Sequence, residues 1–215
     1  MATSASPSQS DNLETVAALT RLPETGLGGR RKRRPERHDE ILSAAVEQFH
    51  AKGYYGTSVE DIAEVVGVSA TAVYRHFHNK QEILDTAALW MGDQLAEQLF
   101  AIDEALPARA RLEKIVDDLV RTSQTYSTFV GVLTREMHSL SPEARKLSMQ
   151  RRYAYVDGCV ATLREVLPKL SKQDAELRIH LMINLVCSIT TYHDGNRKRI
   201  AATVRAAALA ALLVD

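Results

Sequence analysis

At 215 residues with 45% apolar side chains, the chain is long enough for a small domain and a larger one. Its 27 basic and 27 acidic residues balance, which excludes a general polyanion-coating protein whose whole surface is positive. Residues 1 to about 29 are rich in Ser, Thr, Ala and Gly, with Pro7, Pro23 and Gly26-Leu27-Gly28-Gly29, and read as a mobile tail without a signal peptide. Arg30-Arg31-Lys32-Arg33-Arg34-Pro35-Glu36-Arg37 then packs six cations into eight positions. Ile41, Leu42, Ala45, Val46 and Phe49 follow with the 3.6-residue period of an amphipathic helix.

Two short helices joined by a tight turn come next. Thr57 or Ser58 can cap the first, and Glu60 and Asp61 suit its positive N-terminal end. Ile62, Ala63 and Val66 share one face, and Gly67 stands where a left-handed residue ends a helix. Ser69 can cap the second helix, whose Val73 and Phe77 face inward while Ala70, Thr71, Tyr74, Arg75 and His76 stay mostly outside. A small polar outer face of this kind fits a DNA major groove about 12 Å wide. The basic run just ahead of it is placed to lie along phosphates or enter a minor groove.

Gly53-Tyr54, Thr57-Ser58-Val59-Glu60-Asp61-Ile62-Ala63, Gly67-Val68-Ser69, Val73-Tyr74-Arg75-His76-Phe77 and Lys80 together resemble the N-terminal domain of the TetR family of transcriptional regulators. The resemblance covers roughly residues 36 to 90 and beyond that is one of size and helical content. It implies that Thr57, Tyr74, His76 and Lys80 touch phosphates, and that Ser69, Ala70, Thr71 and Arg75 occupy recognition-helix positions. Ser58 and the basic arm Arg30, Arg31, Lys32, Arg33 and Arg34 complete the expected DNA-binding set. Many members carry glycine or proline near the positions of Ala70-Thr71-Ala72, and this triplet has little hydrogen-bonding capacity. Base readout is therefore expected to rest on methyl contacts and Arg75.

Asn79 to Gln81 starts a helix through Ile83, Leu84, Ala87, Trp90, Met91 and Leu95, read as a lever between two domains. Leu112, Ile115, Val116, Leu119 and Val120 form an apolar stripe, and Ser141-Pro142-Glu143 opens a long helix ending near Leu167-Pro168. Gln173 to Tyr192 and Asn196 to Leu213 give the last two helices, the final one rich in alanine. The expected fold is all-α: a flexible tail with basic arm (1–34), a three-helix helix-turn-helix DNA-binding domain (35–82) and a larger helical regulatory, ligand-binding and dimerisation domain (83–215). Reading a palindrome requires a twofold mate with heads about 34 Å apart, so the last two helices are expected to form a homodimer interface, and in the resembled family they form a four-helix bundle.

His180, Asn184, Ser188 and Thr191 draw a polar line along an apolar helix; they can satisfy one another, pair across a dimer or face a cavity. A second cluster joins Tyr126, Phe129, Leu133, Arg135, Met137 and His138, opposite which Tyr155 and Cys159 are expected. Tyr126, Phe129, Leu133, Arg135, Met137, Tyr155, Cys159 and Asn184 are the expected ligand site, for a small apolar or acyl-like effector with a polar or acidic head.

No H-E-x-x-H, G-x-S-x-G or G-x-x-x-x-G-K-S/T run is present, so no catalytic, metal or cofactor site is expected. Ile179 to His193 and Val204 to Val214 are too short for a bilayer. Two cysteines without a C-x-x-C pair fit a reduced cytoplasm. The expected function is a homodimeric DNA-binding repressor released from its operator by a small molecule. The rival from another class is an all-α ligand-binding protein or enzyme whose N-terminal hairpin is merely structural.

Overall fold

Every regular element among the described residues is helical. The computed structural model describes residues 35–192 and 196–214, so the basic run Arg30 to Arg34 lies outside the described residues. The first helix, α1 (Pro35–Lys52), buries the expected stripe of Ile41, Leu42, Ala45, Val46 and Phe49. It ends in a tight turn in which a Cβ on Gly56 would collide with the Lys52 carbonyl oxygen, so only glycine fits there.

Helix α2 (Val59–Val66) begins with a reciprocal cap. The Ser58 hydroxyl accepts from the Asp61 N–H at 3.0 Å, and the Asp61 carboxylate accepts from the Ser58 N–H at 2.7 Å. Gly67 closes the helix at φ 70°, and Ser69 caps α3 (Ala70–Tyr74) by accepting from the Ala72 N–H at 3.2 Å. Val73 and Phe77 are buried, as their spacing required. Asn79 caps α4 (Lys80–Phe100) through the Glu82 N–H at 2.9 Å. These caps satisfy backbone donors that would otherwise go unpaired at each helix start.

The remaining helices are α5 (Ala108–Thr125), α6 (Ser127–Glu136) with a 3-10 turn over Met137–Ser139, α7 (Pro142–Val166), α8 (Lys172–Cys187) continued by a 3-10 turn over Ser188–Thr191, and α9 (Arg197–Leu213). The break between α5 and α6 falls at Tyr126, where φ −111° and ψ 36° leave the helical region. No proline or glycine marks it, so the sequence carried no signal for a separate α6.

The apolar side chains form two clusters. One joins α1, α2, α3, Phe77 and the first half of α4, and takes Val132 from α6 and Leu140 beyond it. The other joins α5, α7, α8 and α9, with Leu95 and Leu99 of α4 packed against it. Helix α4 thus runs from one core into the other. Its Asp93 meets Arg151 of α7 at 2.8 Å, while burial raises the Asp93 carboxyl pKa. Asp117 of α5 pairs with Arg205 of α9, and Arg111 with Glu165 of α7.

In the second core the Cys159 thiol, fully enclosed beside Tyr155, is pushed up to about 12 by desolvation. The unfolded thiol ionises near pH 9, so the contribution of Cys159 to stability is present below about pH 9 and is lost as pH rises toward 12. Denaturant unfolding at a series of alkaline pH values should accordingly show a shallower loss of stability for Cys159→Val than for wild type; identical slopes would contradict the burial. Phe77→Ala should cost about 3–5 kcal/mol as a core truncation, and Ser58→Ala only about 1 kcal/mol as a cap loss, read from the same unfolding curves at neutral pH.

Candidate nucleic-acid interface and ligand cleft

The turn from Gly53 to Thr57 and helices α2 and α3 build one face. Thr71, Tyr74 and Arg75 are exposed on it, with Tyr74 at 49%, and Ser69 is exposed at the α3 start. Ala70 is half-buried against the first core, which turns its methyl inward rather than toward a groove. His76 is half-buried beside His38, with ring centroids 6.5 Å apart, and His38 lies 4.4 Å from the Phe77 ring.

Two residues assigned to phosphates are occupied inside the fold. Thr57 is 2% exposed, and its hydroxyl donates to the Gly53 carbonyl at 2.8 Å and the Gln48 carbonyl at 3.1 Å. Its hydroxyl is thus a lock on the α1–α2 turn. The Lys80 ammonium donates to the carbonyls of Tyr54 and Thr57, both at 2.7 Å, and sits 4.4 Å from the Tyr54 ring centroid. Ser58 remains exposed but is engaged by Asp61 as a cap. Lys52 reaches Asp61 at 2.6 Å and, with Ser58, holds that carboxyl well below the usual carboxylate range.

Helix α6 reaches the same turn from the other side. Arg135 donates to the Phe49 carbonyl at 2.8 Å and the His50 carbonyl at 3.2 Å. Buried Glu136 accepts from the Tyr54 N–H at 3.3 Å and from the Ser139 hydroxyl at 3.2 Å. The Arg135 guanidinium, expected to hold an acidic ligand head, is therefore committed to the C-terminal end of α1, where backbone carbonyls attract cations.

The expected ligand residues do not converge. Leu133 and Met137 pack against the first core. Tyr155 and Cys159 are buried together in the second. Asn184 is exposed on the outer face of α8, so the polar line of that helix does not face a cavity there. Only Tyr126 and Phe129 of the expected set line a cleft of about 360 Å³. Its other walls are Asp39, Leu42, Ser43, Val46 and Glu47 of α1, Trp90 of α4, and Thr125 and Thr128. Nothing in the sequence announced this site, because it joins a stripe of α1 to Trp90 of α4 and to residues at the α5–α6 break. Among the described residues no group of His, Cys, Asp and Glu is arranged to hold a metal, and no helix is long and apolar enough to cross a membrane.

Residues 41–87 match the family described as bacterial regulatory proteins of the tetR family, and residues 105–193 match the tetracyclin repressor-like C-terminal domain. Together these spans take in more than half of the chain, and the chain belongs to the TetR family. The HTH-type transcriptional regulator TcmR of Streptomyces glaucescens is 36% identical over 98 residues, 46% of this chain and 38% of TcmR. The chain spans about half the length of the curated relatives it matches. The TetR family regulator PfmR of Thermus thermophilus superposes with a TM-score of 0.71 at 26% identity, over 80% of this chain and 96% of PfmR. AibR, solved in complex with isovaleryl coenzyme A and operator DNA, shares the fold at 21% identity and a TM-score of 0.66, over 80% of this chain and 97% of its own.

Lys80→Met removes two charge-assisted bonds to the turn and should lower stability by about 1–2 kcal/mol as well as weaken duplex binding. Tyr74→Phe removes only an exposed hydroxyl and should leave Tm unchanged. Thermal unfolding alongside mobility shift on one duplex separates the two, and an unaltered Tm for Lys80→Met would show that its two bonds do not hold the turn.

Proposed function

We propose that the protein is a homodimeric DNA-binding transcriptional repressor that leaves its operator when a small apolar molecule binds. The observation that carries this reading is the capped helix-turn-helix, with Thr71, Tyr74 and Arg75 exposed on the side away from its core. The recognition helix presents few hydrogen-bonding groups, so sequence preference falls mainly on Arg75 and Thr71, at about 1–3 kcal/mol for a direct base contact. Tyr74, His76 and the basic arm Arg30 to Arg34 contribute phosphate contacts that set affinity more than sequence.

The proposed dimer uses the outer faces of α8 and α9. Leu177, Leu181 and Leu185 recur every four residues on α8 and are 58%, 47% and 37% exposed, an apolar stripe that a monomer would leave in water. Beside it α9 exposes Ala202, Ala206 and Ala210, small enough for close helix approach. Arg178 ties the two helices together by donating to the Leu212 carbonyl at 3.0 Å and the Val214 carbonyl at 2.6 Å.

Release follows from the placement of α6. One end lines the cleft through Tyr126 and Phe129, and the other grips the α1–α2 turn through Arg135 and Glu136. A ligand that favours a shifted α6 therefore also favours a displaced helix-turn-helix unit, with coupling of about 1–3 kcal/mol in such systems.

Selection of bound fragments from genomic DNA, followed by mobility shift, tests the reading; absence of any preferred duplex would reject it. Leu181→Glu places charges in the proposed interface. It should convert the dimer to a folded monomer by light scattering and weaken operator binding at least about tenfold, since one head then binds without its mate.

A further inference from the structure

The cleft beside α1 has a chemical character that narrows what it accepts. Asp39, Leu42, Ser43, Val46 and Glu47 stand at i, i+3, i+4, i+7 and i+8, so one stripe of α1 forms its wall. Leu42 and Val46 are buried and give an apolar floor. Asp39 and Glu47 are exposed, and they are the charged side chains of the lining; no Lys, Arg or His contributes to it. An anionic head would meet two carboxylates and no cation of the lining, the Asp39 carboxylate lying also 3.3 Å from the His38 ring nitrogen.

Opposite α1 stand three aromatic rings. The Trp90 and Tyr126 centroids are 5.0 Å apart at 84°, those of Trp90 and Phe129 are 5.1 Å apart at 51°, and those of Tyr126 and Phe129 are 6.3 Å apart at 75°. Rings so inclined present their faces in different directions, and each face carries the negative end of its quadrupole. Carboxylates at the edge and ring faces within favour the same charge. The volume, about 360 Å³, lies in the range of small-molecule sites.

We propose that this cleft binds an organic cation, an ammonium group carried on an apolar body, between α1, α4 and the α5–α6 junction. The proposal rests on the reading of the protein as a small-molecule-responsive regulator and names the ligand class. The ammonium sits against Trp90, Tyr126 and Phe129 with Glu47 and Asp39 at its outer side, and the body covers Leu42 and Val46. Because Leu42 and Val46 also belong to the core of the helix-turn-helix unit, the occupant touches that unit directly as well as α6. Occupancy thereby disfavours the operator-bound arrangement.

The chain has a single tryptophan, so fluorescence reports on this wall alone. Full-length protein is titrated with decyltrimethylammonium, decanol and decanoate, three heads on one body, below their aggregation concentrations. The cation should change Trp90 emission saturably and bind about tenfold tighter than decanol, with decanoate weakest. An Asp39→Asn, Glu47→Gln double variant, checked for unchanged Tm, should lose about tenfold for the cation and nothing for decanol. Decanol or decanoate binding as tightly as the cation, or a double variant with wild-type affinity, overturns the proposal. Mobility shift on the selected operator forms the second arm. Cation binding that leaves operator affinity unchanged overturns the link to DNA release, whereas failure to bind any duplex overturns the regulator reading and leaves the fluorescence result standing.

Discussion

The turn from Gly53 to Thr57 is the joint on which the rest of the molecule depends. Its carbonyls at Tyr54 and Thr57 are held by Lys80, its N–H at Tyr54 is held by Glu136, and its own Thr57 hydroxyl closes it onto the Gln48 carbonyl of α1. The backbone turn between α1 and α2 has little apolar burial of its own, and fixing each residue costs about 1–2 kcal/mol of entropy. The charged side chains offset that cost by satisfying polar groups that the surrounding core would leave without water. Glu136 is itself buried, and the two donors and the adjacent Arg135 at 3.3 Å compensate its desolvation.

The same joint ties the short helix-turn-helix unit to elements elsewhere in the chain. Its core is incomplete without Val132 and Leu140, which come from α6 and the segment after it. The unit is therefore packed onto the element that lines the cleft, and α4 carries the connection onward into the second core through Leu95 and Leu99. Close-packed interiors do not deform smoothly, so a shift of α6 is passed on as a change of arrangement. Gln81 adds a second link, accepting from the Tyr54 hydroxyl at 3.0 Å and donating to the Ser139 carbonyl at 2.8 Å.

Surface chemistry divides the proposed labours. The helix-turn-helix face is polar and sparse in donors, which suits a reader that takes affinity from phosphates and selectivity from a few side chains. The α8 stripe of Leu177, Leu181 and Leu185 is apolar and regular, which suits a permanent partner. The α1 cleft is acidic at its edge and aromatic within.

The sequence by itself determined what local rules govern. Ser58, Ser69, Asn79, Ser141 and Asn196 each cap the helix their position announced, Gly67 takes the left-handed conformation, and the spacing of Ile41 to Phe49 and of Val73 and Phe77 marks buried faces. These depend on contacts within a few residues, which periodicity and capping chemistry record. The placement of side chains that answer to distant segments was decided only by the tertiary structure. Thr57 and Lys80 are polar residues on a turn, and nothing local says that their groups are spent on carbonyls of the turn itself. Tyr126 ends α5 without a proline or glycine, so α6 and the destination of Arg135 stayed hidden. Tyr155 and Cys159 went to the second core, and Asn184 to the outer surface, because a helix face acquires its environment from whichever helices pack on it. The cleft joins residues of α1 to Trp90 and Phe129, and a pattern of period 3.6 can say that a stripe is buried or exposed but not which stripe it will meet.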